Sequence, residues 1–508
     1  MTASRSIAKN TLLLTVGLLS GRALSVLLVH KMSPVLGDEG MGVWGVATDL
    51  TAILLVISRF GLDTLLTREV TRRRSMTLPL FWSTLRIRWL IGLLCYLFLI
   101  FYVKVSGFGS LKMAAVLVTG VAIFIEATAM SCDSVLQAHD KVQYQSLGQI
   151  LSAILYFALG WWALEQGQGL MGVIWANLVS KVARLVIMAP LMFWKTGPWR
   201  WREAAAAQAA EASDRPAVTM RWLMKLGFPL FLSTTFGIIY NKVDVVMLDA
   251  MLGAATAGVY VLGHRALDMM IIVPNIFGTA LFPAMARYSF QSPRDAARLG
   301  ERSLRFLLVA MFPMTLFLMF TAVPIIDWLG GSTEFDDSAI ILMIVIWGVP
   351  LQSGNIIFNR LLISAEREKA FVTIGLVSMI TNIVLNTLLI PRYSYYGASA
   401  ATLASLGVSF VLHVQFLKGS GFLPPLLRAV MGPAAATASA WALTVLVLKV
   451  AAPGWNVSWA GLPLDRGWGP FLLTVLLTGV LYVAALWAMR VVKNEDLSLI
   501  RPLLQRGD

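Results

Sequence analysis

The stretch TLLLTVGLLSGRALSVLLV, residues 11–29, carries a single charged side chain, Arg22. A helix needs about 20 predominantly apolar residues to cross the hydrocarbon core of a bilayer. An arginine at bilayer depth costs about 2.5 kcal/mol or more, so its presence in such a helix usually has a functional reason. We interpret this stretch as a membrane span. We expect it to be retained rather than cleaved as a signal peptide, because no small-residue cleavage site follows it cleanly.

The composition of the whole chain agrees with that of this stretch. Of 508 residues, 58% are hydrophobic and 13% are charged, whereas a soluble protein carries about 25% charged residues. The two cysteines, Cys95 and Cys132, both lie within apolar blocks. This placement excludes a disulfide framework and a cysteine-based metal site, and no other metal site is predicted. The composition predicts a polytopic, all-α membrane protein.

Apolar blocks between charged or Gly/Pro breaks predict fourteen transmembrane helices. They lie near residues 10–30, 42–65, 80–102, 113–136, 145–164, 170–193, 226–248, 255–284, 306–328, 339–362, 370–390, 397–417, 429–449 and 469–489.

The distribution of basic residues supports this topology. With the N-terminus in the cytoplasm, most of the 41 lysines and arginines fall in cytoplasmic segments, as the positive-inside rule requires. The outside segments hold Lys31, Lys104, Lys112, Arg392, Lys449 and Arg466. Both termini are therefore predicted to be cytoplasmic. The net charge of +14 is explained by loops that face anionic lipid, and we expect no nucleic-acid partner.

A short motif occurs twice and suggests an internal duplication. LGDEGMGVW, residues 36–44, and LGAATAGVY, residues 252–260, share the pattern L-G-x4-G-V-aromatic, and Phe60-Gly61 is echoed by Phe277-Gly278. Each copy opens an even-numbered span on the outside. Two six-helix lobes with the same starting side should be related by a pseudo-two-fold axis along the membrane normal, with a site between them.

The repeat and the polar segment REAAAAQAAEASDRPAV, residues 202–218, define the predicted domains. Residues 1–194 form an N-terminal six-helix lobe, 195–225 a cytoplasmic linker, and 226–420 a C-terminal six-helix lobe. Residues 421–508 contribute two further transmembrane helices and a cytoplasmic tail.

Three segments of the chain resemble polysaccharide (O-antigen type) flippases of the multidrug/oligosaccharidyl-lipid/polysaccharide (MOP) exporter superfamily. KNTLLLTVGLLSGRALSVLLVHKMSPVLGDEGMGVW is similar to the opening of these proteins. YNKVDVVMLDAMLGAATAGVYVLGHRALDMMIIVPNIFGTALFPAMAR is similar to their seventh and eighth spans, and NRLLISAEREKAFVTIGLVSMITNIVLNTLLIPRYSYYGASAATLAS to their tenth through twelfth.

This resemblance implies a V-shaped, two-lobed transporter rather than an enzyme. Such a protein moves undecaprenyl-(pyro)phosphate-linked oligosaccharide units from the inner to the outer face of the bacterial cytoplasmic (inner) membrane by alternating access. The glycan would serve surface polysaccharide such as the O-antigen of lipopolysaccharide, and the implied partners are membrane lipid and a polysaccharide polymerase with its chain-length machinery. A lipid II flippase remains an alternative. A multidrug/cation antiporter and a membrane-embedded glycan polymerase are more remote, because the outer loops are short.

The same resemblance suggests which cations bind the substrate. Arginines at places similar to Arg22, Arg59 and Arg265 are thought to bind pyrophosphate in lipid II flippases. A guanidinium group stays charged and offers a planar fork of donors to phosphate oxygens. The alternative role of each arginine is structural, as a buried pair or a side chain reaching the interface. Asp268, three residues after Arg265, shares its helix face and could neutralise it.

Other charges at membrane depth are candidates because ionisable groups avoid lipid. Lys242, near the middle of span 7, is a candidate substrate-binding residue. Asp49, Glu126 and Asp244 are candidates for a coupling group or an interhelical charge pair. The sequence contains no nucleotide-binding motif, and we expect no cofactor. Coupling to an H⁺ or Na⁺ gradient or to the membrane potential would then supply the energy.

Overall fold

The computed structural model describes residues 2–72, 74–197, 220–365, 367–418, 420–451, 468–489 and 491. Within these ranges the regular structure is helical and no strand is present, which confirms the all-α class. Most of the predicted cytoplasmic linker lies outside the described residues. So do the last outer connection and nearly all of the C-terminal tail.

The helices of the described residues follow one another along the chain. They are α1 (Thr2–Arg59), α2 (Leu62–Arg72), α3 (Thr77–Val105), α4 (Ser110–Ala138), α5 (Val142–Glu165), α6 (Gly169–Thr196), α7 (Met220–Leu252), α8 (Ala254–Met270), α9 (Ile272–Gln291), α10 (Pro293–Phe320), α11 (Ala322–Gly330), α12 (Asp336–Val345), α13 (Gly348–Ser364), α14 (Glu368–Lys418), α15 (Leu426–Ala451) and α16 (Trp468–Ala488). Short 3-10 turns occupy Arg74–Met76 and Thr333–Phe335.

Two of these helices are long enough for two membrane crossings each. Helix α1 has 58 residues, about 87 Å at 1.5 Å per residue, against a hydrocarbon core of about 30 Å. Its helical geometry is interrupted at Gly37 (φ 64°, ψ −175°), a conformation that glycine adopts without steric cost. Helix α14 is interrupted in the same way at Ser394 (φ 53°, ψ −138°). A Cβ on Gly397 would lie 2.5 Å from the Leu389 carbonyl oxygen, so the chain doubles back there.

Three other predicted spans are broken by proline. Spans 8, 9 and 10 each comprise two helices, and the second helix of each pair carries proline at its third residue: Pro274, Pro324 and Pro350. Proline has no N–H and its ring clashes with the carbonyl four residues earlier, so the preceding helix ends one turn before it. The helices on either side of the third break are bent by 44°.

Ten helical segments of the described chain are long and apolar enough to cross a membrane, or eleven if the bent pair is one span. All fourteen predicted spans overlap described helices, and α1 and α14 each contain two of them. The polytopic membrane fold is therefore clear, whereas the number fourteen stays a prediction.

Polarity is distributed as expected for a protein in lipid. On α3, Trp89, Leu94 and Phe101 are exposed, whereas Arg88 is completely buried. Apolar side chains facing outward around buried charges are characteristic of helices whose solvent is hydrocarbon.

The chain divides into two compact units, Met1–Gly258 and Val259–Asp508. In the first, leucines of α2 pack with apolar residues of α3, α4 and α6. In the second, residues of α10, α13 and α14 form the main core. Helices α15 and α16 pack on one another through Ala436, Ala440 and Tyr482. The Tyr482 hydroxyl donates to the Val309 carbonyl of α10 at 3.0 Å, which attaches this pair to the second unit.

The two copies of the glycine motif share two features. Gly37 and Gly253 both have positive φ, 64° and 96°. A Cβ on Gly42 would lie 1.7 Å from the Ala254 carbonyl oxygen, and a Cβ on Gly258 would lie 1.9 Å from that of Asp38. The glycines at these positions therefore allow the backbones to touch reciprocally. The second echo differs, since Gly61 has a positive φ of 66° between helices and Gly278 lies inside α9.

Candidate functional site

Arg22 lies in the part of α1 that precedes the interruption at Gly37, and its side chain is exposed. The neighbouring residue is packed, because a Cβ on Gly21 would lie 3.5 Å from the Ala153 Cβ of α5. This part of α1 therefore contacts α5 at Gly21, while the side chain of Arg22 remains accessible.

Arg59 belongs to a cluster of three charged residues. Its Nε lies 2.6 Å from Asp63 Oδ2, and Arg88 Nη2 lies 2.6 Å from Asp63 Oδ1. Arg88 Nη1 also donates to the Ser131 hydroxyl at 2.8 Å and to the Ala127 carbonyl at 3.1 Å. One carboxylate thus bridges two guanidinium groups, one partly buried and one completely buried.

Nothing in the sequence distinguishes Arg88 as a functional residue. It occurs with Arg86 in LRIRW, near the predicted cytoplasmic end of α3, where basic residues indicate topology. Two residues apart on a helix means about 200° of rotation, so the two side chains point in nearly opposite directions. Arg86 is exposed and Arg88 is buried, a phase that the sequence alone does not specify.

A second buried cluster joins α4 and α6. Arg184 Nη1 lies 3.1 Å from Glu126 Oε2, and Arg184 Nη2 donates to Asp133 Oδ2. Lys181 Nζ lies 3.7 Å from Glu126 Oε1. Two carboxylates and two cations therefore neutralise each other inside the first unit, which limits the cost of burying them.

Lys242 connects α7 to α1. Its Nζ lies 3.4 Å from Asp49 Oδ1. Asp244, two residues later, faces another side of α7 and is buried. Asp249 lies seven residues after Lys242, on nearly the same face, and accepts a hydrogen bond from Lys112 of α4. Two ion pairs thus fasten α7 within the first unit.

Arg265 and Asp268 lie one turn apart on α8, in the second unit. Asp268 Oδ1 is 3.8 Å from Nδ1 of His264, and the His264 ring is 5.4 Å from that of Tyr260. Both Arg265 and Asp268 are partly buried. His264 is therefore a neighbour of Asp268 on this helix, in addition to the Arg265 predicted to share its face.

The predicted residues are thus distributed over both units. Arg22, Arg59 and Lys242 lie in the first and Arg265 in the second. Arg59 and Lys242 each have a carboxylate partner, Asp63 and Asp49 respectively. Within the described residues, no group of three or more His, Cys, Asp or Glu side chains is placed to hold a metal ion.

Two family models match the chain. The model described as "Polysaccharide biosynthesis protein" matches residues 7–289, which is more than half of the chain. The model described as "Lipid II flippase MurJ" matches residues 220–462.

Two curated proteins of Haloferax volcanii are similar. "Probable low-salt glycan biosynthesis flippase Agl15" is 21% identical over 413 residues, covering 81% of this chain and 83% of that protein. "Probable flippase AglR" is 24% identical over 194 residues, covering 37% of this chain and 40% of that protein.

Solved structures show the same fold. "Lipid II flippase MurJ, inward closed conformation" has a TM-score of 0.70 at 14% identity, covering 93% of this chain and 98% of that one. An inward-facing "multidrug resistance MATE family transporter of the MOP superfamily" has a TM-score of 0.63 at 12% identity, covering 78% and 95%. At these identities the likeness shows the shared fold alone.

Proposed function

We propose that this chain, which belongs to the polysaccharide biosynthesis protein family, is a flippase for lipid-linked oligosaccharides. It would carry undecaprenyl-(pyro)phosphate-linked repeat units from the inner to the outer face of a bacterial cytoplasmic membrane, for O-antigen or a similar surface polysaccharide. The family match over residues 7–289 and the similarity to a glycan biosynthesis flippase over most of both chains support this proposal.

The observation that carries the proposal is the presence of cations inside apolar helices. A carrier lipid presents phosphate groups, which bind guanidinium well for two reasons. They are anionic, and their oxygens can accept hydrogen bonds from the planar fork of guanidinium N–H donors. Arg22 is exposed on α1, and Lys242 is held by Asp49 at 3.4 Å. In our proposal Arg22, Arg59, Lys242 and Arg265 bind the (pyro)phosphate, and the aspartates hold the paired cations between transport cycles.

The carboxylates give this scheme a route to energy coupling. When phosphate takes the place of Asp49 beside Lys242, the carboxylate loses its counter-charge and can bind a proton or a cation. Moving one charge across the membrane potential is worth about 2.3 kcal/mol per 100 mV. Asp49, Glu126, Asp244 and Asp268 are the proposed coupling or charge-pair residues, with H⁺, Na⁺ or the membrane potential as the energy source.

A lipid II flippase is the second candidate. It is favoured by the match of residues 220–462 to the MurJ family model and by the shared fold. Both substrates carry pyrophosphate on a polyprenyl chain, so the two functions require the same cations. They differ in the glycan, and complementation of strains lacking either flippase separates them.

The proposed site is tested by Arg265→Ala in a strain that depends on this protein for surface polysaccharide. We expect surface glycan to disappear while the variant remains in the membrane at the normal amount. Arg287→Ala, which removes an exposed arginine of α9, is the matched control and should leave export intact. Normal export by Arg265→Ala would contradict the site assignment.

A further inference from the structure

Arg360 of α13 differs from the other buried arginines of the described chain in its partners. It is partly buried, and its Nη2 donates to the Thr279 hydroxyl of α9 at 3.2 Å. The centre of its guanidinium lies 5.8 Å from the Phe282 ring centroid. Among the described residues, no carboxylate lies within ion-pair distance of it. Arg88 and Arg184, by contrast, each lie against aspartate.

The neighbouring helix α9 packs against this side chain. A Cβ on Gly278 would lie 2.8 Å from Cγ2 of Ile356 and 3.8 Å from both Cγ and Nε of Arg360, so the glycine makes room for Ile356 and the arginine stem lies beside it in ordinary contact. The Thr279 hydroxyl donates to the Asn275 carbonyl at 2.8 Å, which directs a lone pair of its oxygen toward the arginine. The threonine thus fixes one edge of the guanidinium.

The remaining donors of the guanidinium are available. Arginine has five N–H groups, and within the described residues one hydrogen bond is made, to Thr279. The side chains of Thr279 and Asn275 are both exposed, one turn apart on the same face of α9. The Thr279 hydroxyl and one N–H of the Asn275 amide donate to the carbonyls of Asn275 and Ile271. An anion that binds here therefore meets one permanent positive charge and the second N–H of the Asn275 amide.

The position of Arg360 sets the class of ligand. Helix α13 ends at Ser364, four residues or about 6 Å further along the axis, on the side that the predicted topology places in the cytoplasm. The predicted topology therefore places Arg360 close to the level of the cytoplasmic lipid phosphates. A phosphate is the anion that matches guanidinium in charge and geometry.

We propose that Arg360, held in place by Thr279, and Asn275 form a phosphate-binding site for a membrane lipid on the second unit. A phosphate at this level belongs either to the polyprenyl carrier or to an ordinary phospholipid headgroup. The carrier assignment rests on the proposed function and makes this site the first contact of the substrate before Arg265. The existence of the phosphate site does not rest on it.

Native mass spectrometry of the purified full-length protein tests the site directly. The protein is titrated with undecaprenyl phosphate in one arm and with phosphatidylglycerol in the other. Arg360→Gln should reduce lipid retention about tenfold, roughly what a charge-assisted hydrogen bond contributes. Thr279→Val should reduce it less, since the charge remains. Arg287→Gln, on the exposed end of α9, should retain lipid like the unaltered protein.

The two arms separate the sources of the phosphate. A larger loss for undecaprenyl phosphate assigns the site to the carrier, and equal losses assign it to phospholipid headgroups in general. If Arg360→Gln retains both lipids like the unaltered protein, and melts at the same temperature, the proposed site is wrong. Because binding is measured without transport, this result is independent of whether the protein proves to be a flippase.

Discussion

Arg88 shows how strongly single charges are constrained inside this protein. Its side chain is completely buried, and Asp63 is its one counter-ion among the described residues. The sequence predicted that Arg59 and Asp63 lie in the membrane region, because both interrupt an apolar block. It did not predict Arg88, since an arginine near a cytoplasmic helix end usually indicates topology. Burial depends on helical phase and on neighbours distant in sequence, such as Ser131.

The bridging role of Asp63 leads to a stability prediction. Asp63→Asn leaves the buried guanidinium of Arg88 without its counter-charge, and breaking a buried pair in this way costs about 3–5 kcal/mol. We expect a clear fall in the melting temperature of the purified protein, measured by intrinsic fluorescence in detergent.

Two further variants serve as references for this measurement. Asp295→Asn removes the partner of Arg298 in an exposed pair at 3.4 Å and should change stability by less than about 1 kcal/mol. Replacing both Arg88 and Asp63 with apolar residues should recover part of the loss. An Asp63→Asn protein as stable as the Asp295→Asn protein would show that the bridge is unimportant.

At the scale of helices, the hydrophobic pattern of the sequence predicts where the membrane spans lie. The backbone geometry determines which neighbouring spans are continuous and where a helix is interrupted. The lengths of the apolar blocks predicted spans 1, 2, 11 and 12 separately. The structure joins them pairwise into α1 and α14, with interruptions at Gly37 and Ser394. A glycine at such an interruption is a recognisable signal, whereas a serine with positive φ is not. The breaks before Pro274, Pro324 and Pro350 coincide with proline, whereas Pro229 and Pro313 lie within continuous helices, so proline alone does not determine where a helix is interrupted.

The reciprocal glycine contact gives a prediction at this scale. In Gly42→Ala the new Cβ would overlap the Ala254 carbonyl, at 1.7 Å, and backbone atoms cannot move aside as a side chain can. We expect α1 to shift away from the start of α8, with a loss of stability of about 1–3 kcal/mol. Thermal unfolding in detergent measures this loss.

Gly237→Ala is the matched control for the glycine contact. Gly237 lies within α7, and a Cβ there meets nothing within 4 Å. Alanine in an open helical position should be neutral or stabilising by up to about 1 kcal/mol. If both variants melt alike, the backbone contact at Gly42 does not determine the packing of the two motif copies.

For the whole molecule, composition and motif order were enough to identify the class and the family. The chain is a helical membrane protein, and the family match to residues 7–289 confirms the resemblance that began at residues 9–44. The predicted lobes and the cation site between them remain proposals. Helix α7, assigned from the sequence to the second lobe, lies in the first compact unit, where Lys242 and Asp249 are paired. Tertiary ion pairs of this kind leave no periodic signal in a sequence.

Transport in reconstituted liposomes tests whether this protein is a flippase for lipid-linked oligosaccharides. Fluorescently labelled undecaprenyl-pyrophosphate oligosaccharide is placed in both leaflets, and a membrane-impermeant quencher is added outside. We expect the label of the inner leaflet to become accessible much faster with the protein than in empty liposomes, and we expect Arg265→Ala to abolish this acceleration. Accessibility no faster than in empty liposomes, with a correctly inserted and folded protein, would contradict the assignment of this chain as a flippase.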